Sequence, residues 1–288
     1  MNNNASLRKG GFSLATSAEI LILPMLIMIT LIYIVPTGIF FYQTIVSEGV
    51  GFFDNLTRTI SSPFILKIFW NTLFISALVT VICLFLAYPL AYGLCYASGL
   101  TKIIILICIV VPYFTSIIVR TFSWMVILGQ YGLINQILLS LGVVNKPILF
   151  MYNRIGVLIG MVYVLLPYLT LTIFAAMKSI DRGLLTAAYS MGASRLYAFR
   201  HVFLPLTIPG VISGSLIVFI LSLAFFITPS LMGGSNDLMA AMLIQREIEI
   251  NLNWSLAAVI SIVLLLLTLI LFYFYSKYTD LDRMMGKG

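Results

Sequence analysis

The chain is 288 residues and 32.0 kDa, with 61% hydrophobic and only 9% charged residues, where ordinary soluble domains hold ~25% charged residues. So few charges cannot clothe a soluble globule of this size, and the same scarcity excludes a disordered chain or a nucleic-acid-binding domain. The net charge of +7, from 16 Lys and Arg against 9 Asp and Glu, is what cations retained in cytoplasmic loops leave behind, and needs no nucleic-acid partner.

A helix crosses ~30 Å of hydrocarbon with about 20 apolar residues. Stretches of that kind lie at 20–44, 70–96, 103–128, 155–177, 206–232 and 256–276, between a tail at 1–19 and another at 277–288. Arg8 and Lys9 precede the first stretch as they would a signal peptide, but its length exceeds a signal core of ~7–15 residues and no A-x-A site follows. Pro36, Pro89, Pro112, Pro167 and Pro229 fall in or near the ends of the stretches. Such prolines predict kinked helices packed on one another, which recapture the freed backbone groups. The uncharged but polar-interrupted segment 130–144 is read as an interfacial or re-entrant helix. With the N-terminus inside, Arg8, Lys9, Lys102, Lys178, Arg182, Arg195, Arg200, Lys277, Arg283 and Lys287 face the cytoplasm. The opposite side holds the smaller set Arg58, Lys67, Arg120, Lys146, Arg154 and Arg246, so both termini are expected in the cytoplasm.

Catalytic chemistry finds little to work with. No G-x-x-x-x-G-K-[ST] cradle for nucleotide phosphates occurs, and His201 is the single histidine. Cys83, Cys95 and Cys108 lie in or beside apolar runs at no metal spacing. No enzyme, metal site or cofactor is expected in this chain. All nine acids lie outside the spans, which counts against an ion-coupled carrier with intramembrane carboxylates. Arg120 is the one full charge inside a span; counted up a continuous helix from Lys102 it lies ~27 Å away, close to the outer interface, where it can snorkel.

The loop 178–205 carries the most information. Asp181 is placed to cap a short helix running to Met191, Gly192 interrupts it, and Ser194 is placed to cap a second turn from Arg195. Ala187, Ala188, Gly192 and Ala193 leave a surface of little bulk, into which another protein can approach closely. Leu196, Tyr197 and Phe199 supply apolar knobs beside Arg195 and Arg200. Composition alone leaves this reading level with that of an amphipathic helix on anionic lipid.

Thr186-Ala187-Ala188-x-x-x-Gly192, followed by Leu204-Pro205-Leu206 and Pro209-Gly210, resembles the EAA loop of ABC-importer permeases. The first letter departs, with Thr186 where the family has glutamate, and a threonine cannot make that residue's charged contact. The runs Val111–Ser116 with Val119, Arg120, Thr121 and Trp124, Leu223–Pro229 through Met232-Gly233-Gly234, and Asn253-Trp254 resemble the spermidine/putrescine branch. The resemblance implies an all-α polytopic membrane protein of six transmembrane helices with the type I importer permease fold, in a bacterial inner membrane.

It also implies partners: a second permease subunit forming a heterodimer, two ATPase subunits carrying ATP and Mg, and an extracytoplasmic solute-binding protein. Thr186, Ala187, Ala188, Gly192, Ala193, Arg195, Leu196 and Arg200 would then form the coupling lever against the ATPase. A polyamine path should offer carboxylates and aromatic faces. The candidates are Trp124, Tyr163, Tyr168 and Phe225 within the spans, with Asp237, Glu247 and Glu249 in the loop joining the last two. The resemblance also leaves an opine, an amino-acid-like or another small solute as the cargo, and the loop acids can equally be solvated or face the binding protein.

Overall fold

A computed structural model describes residues 23–46 and 52–278; the tails at 1–19 and 279–288 lie outside the described residues. Six helical stretches are long and apolar enough to cross a membrane; the third is Ile117–Ser140, not the expected 103–128, and the fifth is Arg195–Leu223, while Gly99–Phe114 is a shorter apolar helix of its own. The helices are α1 (23–46, with a π turn at Thr30–Ile34), α2 (Phe52–Ser61), α3 (Pro63–Tyr96) and α4 (Gly99–Val110). They continue with α5 (Ile117–Leu128), α6 (Leu133–Ser140), α7 (Arg154–Lys178), α8 (Arg182–Ser190), α9 (Arg195–Ala198) and α10 (Leu204–Leu223). Last come α11 (Ile227–Met232), α12 (Ala240–Glu249) and α13 (Trp254–Tyr278).

Helices α3, α7 and α10 form the core, and residue spacing explains why. Ile75, Val79, Cys83, Ala87 and Ala91 on α3 recur every fourth residue and are fully buried. Val157, Met161, Leu165, Leu169, Ile173 and Met177 do the same on α7. Two ridges of that period interlock closely, and the small Cys83, Ala87 and Ala91 narrow the gap at one end. Arg154 at the start of α7 bonds Asn71 near the start of α3, while Arg182 after α7 bonds the Cys95 carbonyl at the end of α3. These two helices therefore run parallel, with α10 antiparallel to α7.

The approach of α10 depends on glycine. A Cβ at Gly210 would collide with Ala176 Cβ, and one at Gly214 would press on Leu169 and Thr172. Gly210→Ala is expected to cost about 1–3 kcal/mol of stability through overpacking, read as a lower melting temperature in detergent. Adding Ala176→Gly should restore most of it, because the second change reopens the same space.

Two stretches that read as single spans are interrupted. In 103–128, Val111–Phe114 is a 3₁₀ turn and Thr115 and Ser116 are extended, with ψ of 146° and 136°. Pro112 has no N–H to continue the helical ladder. Arg120 therefore does not lie at the far end of a continuous helix from Lys102, and the distance counted along one does not apply. Its Nε is buried with no hydrogen-bond partner. In 206–232 the helix ends at Leu223 and restarts at Ile227. A continuous helix would drive the Pro229 ring into the Phe225 carbonyl, whereas the first turn of α11 accommodates it. Segment 130–144 holds α6, pinned by the fully buried Asn135. The Asn135 amide donates to the Gly129 and Ile148 carbonyls and accepts from the Ile148 N–H at 2.8 Å.

Candidate functional site

The loop after α7 is built by its own caps. Asp181 accepts from the Gly183 N–H at 2.8 Å and starts α8, and Ser194 accepts from the Tyr197 N–H and starts α9. Between them α8 ends in a Schellman motif: the Gly192 N–H donates to Tyr189 O, the Ala193 N–H to Ala188 O, and Gly192 takes φ +85°. A π turn at Phe199–Phe203 leads into α10. There Tyr92 of α3 meets Phe199 and Phe203 edge-on, each with centroids 5.6 Å away. Phe199 is thus turned inward against α3, not presented as a knob on the surface. Aromatic pairs of this kind contribute about 0.5–1.5 kcal/mol each, which makes the root of the loop stiff.

The tip of the loop encloses an open groove of about 500 Å³, lined by Ala188, Met191, Gly192, Ala193, Ser194, Tyr197 and Val202. Ala188, Gly192 and Ala193 therefore share one surface. Thr186 and Ala187 are exposed on α8 outside the groove lining, and the Thr186 hydroxyl donates to Arg182 O on its own helix. Arg195, Leu196 and Arg200 are exposed and do not line the groove. Neither arginine makes an ion pair among the described residues. Met191 stands 83% exposed at the rim; one methionine carries no sequence pattern, and its position follows only from the turn at Gly192.

The path candidates divide. Trp124 of α5 and Tyr163 of α7 meet edge-on at 5.3 Å and line an almost wholly apolar groove of about 320 Å³ against Ile82 and Leu86 of α3. Tyr168 packs instead on Tyr113 at 4.8 Å, and Phe225 packs against the helical core. Thr121 of α5 shares a 3.2 Å hydrogen bond with Thr228 of α11, tying the two interrupted segments together beside Trp124.

The three loop acids do not converge. Asp237 is buried, accepts from Arg154 Nε at 3.2 Å and accepts the Gly234 N–H through its other oxygen. Arg154 Nη2 also donates to Asn71 Oδ1 at 2.9 Å, and the Asn71 amide donates to the carbonyls of Asn236 and Leu238. Asp237 and Asn71 thus staple the 233–239 loop to the first turn of α7 and the third turn of α3. Glu247 is buried and accepts from Asn251 Nδ2; Glu249 is exposed and accepts from Gln245 Nε2. Asn71 was legible as a lone amide in an apolar run, but nothing local linked it to Arg154, 83 residues away.

Known proteins agree with this architecture. The spermidine/putrescine transport system permease protein PotB of Haemophilus influenzae is 31% identical over 233 residues, covering 81% of this chain and 79% of that one. PotB of Escherichia coli is 32% identical over 205 residues, covering 71% and 74%. A subunit of a bacterial ABC transporter that imports alginate superimposes with a TM-score of 0.75 over 91% of this chain and 94% of that one; at 17% identity this speaks for the fold. The family model for the inner membrane component of binding-protein-dependent transport systems matches residues 84–278. With its six apolar spans and that match over most of its length, this chain belongs to the binding-protein-dependent transport system inner membrane components and is a transport permease subunit.

Proposed function

We propose that this permease forms one half of a polyamine path in an ATP-driven importer, paired with a second, non-identical permease. Two separate ATPase subunits would seat against the Ala188–Gly192–Ala193 groove, and an extracytoplasmic binding protein would deliver solute at the opposite end. The groove is the observation that carries the reading: a capped, aromatic-anchored helix whose tip is open and small-sided is suited to transmit force from a docked partner. The excess of Lys and Arg at that end favours the cytoplasm for it and for both termini. Spermidine and putrescine are favoured by the similarity to PotB. Trp124 and Tyr163 offer faces to which an ammonium group is attracted.

The test is uptake of radiolabelled spermidine into proteoliposomes holding the complete importer. Uptake should require ATP and the binding protein, and dissipating ion gradients should leave it intact. Trp124→Ala is expected to raise KM about three- to tenfold, the loss of one cation–π contact. ATP-independent uptake driven by an ion gradient would refute the importer reading.

An amino-acid-like solute is the second reading. Arg120 lies one turn from Trp124 with an unpaired buried Nε, an arrangement suited to a carboxylate. Competition of labelled spermidine uptake by unlabelled amino acids separates the two.

A further inference from the structure

At the foot of the loop, separate from the groove at its tip, three cations from three elements line one cleft. Lys102 comes from the first turn of α4, Lys178 from the last turn of α7 and Arg182 from the first turn of α8, around a cavity of about 90 Å³ that Cys95, Tyr96 and Phe174 also line. None of the three makes an ion pair among the described residues. Asp181, the acid adjacent in sequence, spends its carboxylate on the Gly183 N–H. Arg182 Nη2 donates to Cys95 O at 3.2 Å, and the Lys102 ammonium stands 5.5 Å from the Phe174 ring centroid. Carbonyls at the ends of α3 and α7 offer only partial negative charge, about half an elementary charge per helix end. The cleft therefore holds three full positive charges with no carboxylate in its lining and no ion pair among the described residues, at the mouth of two membrane-spanning helices.

We propose that this cleft is an anion site that takes the phosphate of an anionic phospholipid headgroup, whose chains lie outside along the spans. Phosphate supplies the charge and acceptor oxygens that an arginine and two ammonium groups need. Basic pockets between spans at a membrane surface suit such headgroups. A zwitterionic lipid brings a choline cation into the same field and is disfavoured. An occupied site would cross-link α4, α7 and α8, and so brace the root of the loop against the helix bundle. The proposal does not depend on which solute the permease carries.

Native mass spectrometry of the purified full chain, with whatever subunits accompany it, tests this by titration with phosphatidylglycerol and with phosphatidylcholine. Phosphatidylglycerol is expected to bind at least tenfold more tightly. Lys102→Gln with Lys178→Gln should reduce that preference to within about twofold, while Lys102→Arg with Lys178→Arg should keep it. The arginine pair separates loss of charge from loss of fold, and Arg182 keeps its bond to Cys95 in both. Inorganic phosphate added in phosphatidylcholine nanodiscs is the second arm. Thermal stabilisation by millimolar phosphate without any phosphatidylglycerol preference would overturn the lipid as the source. Equal binding of both lipids with no phosphate effect, or a preference that survives the glutamine pair, would overturn the site itself.

Discussion

Gly192→Val is expected to lower binding-protein-dependent uptake about tenfold while ATP hydrolysis by the assembled importer persists. The reason is conformational. Gly192 holds φ +85° in the turn that ends α8, a region an L-residue enters at a cost of ~1–2 kcal/mol, and a β-branched one enters least readily. A Cβ there would meet nothing within 4 Å, so crowding does not confuse the result. To escape the strain the valine variant must release the Gly192 and Ala193 N–H bonds to Tyr189 O and Ala188 O, and the groove between Ala188 and Tyr197 changes shape. Gly192→Asn, which tolerates the left-handed region, should recover most of the uptake. Paired assays of hydrolysis and uptake in proteoliposomes read both quantities, and a valine variant that transports normally would sink the lever.

Asp237→Asn is expected to destabilise the protein by about 1–3 kcal/mol without changing KM for the solute. Breaking a fully buried ion pair costs about 3–5 kcal/mol, but the Arg154 side chain is 40% exposed against 6% for Asp237, so water covers part of the loss. The asparagine retains an oxygen for the Gly234 N–H and loses the charge that faces Arg154. At a few degrees per kcal/mol for a chain of this size, the melting temperature should fall about 5 °C in a thermal-shift assay. Arg154→Ala and Asp237→Ala together should cost less than the sum of the two single changes, because they remove one shared interaction. A tenfold rise in KM at unchanged stability would instead make Asp237 a carboxylate of the solute path.

That contrast shows where reading residues in order runs out. Asp237 in a loop between spans looks like a free carboxylate, and only the fold brings Arg154 and Asn71 to it, from near the starts of two parallel helices. Phe199 beside two arginines looks like a surface knob until Tyr92 is placed against it. The local devices of the loop after α7 were legible because they act within four residues: the Asp181 and Ser194 caps and the glycine at Gly192. The interruptions near Thr115 and Phe225 were half legible. Pro112 and Pro229 announce a conflict, but Pro89 and Pro167 lie inside intact helices, so proline alone does not decide whether the chain breaks.

The amino-acid order by itself determined that this chain lives in lipid as a bundle of six apolar spans, because charge scarcity and run length are properties of composition and need no partner. It determined the caps and the glycine turn of the loop after α7 for the same kind of reason, since both act over a few residues. The tertiary structure alone decided which acid pairs with Arg154, which aromatics share a groove, and which cations meet in one cleft. Those outcomes depend on contacts between residues far apart in the chain, and such contacts exist only once α3, α7 and α10 have locked their ridges together.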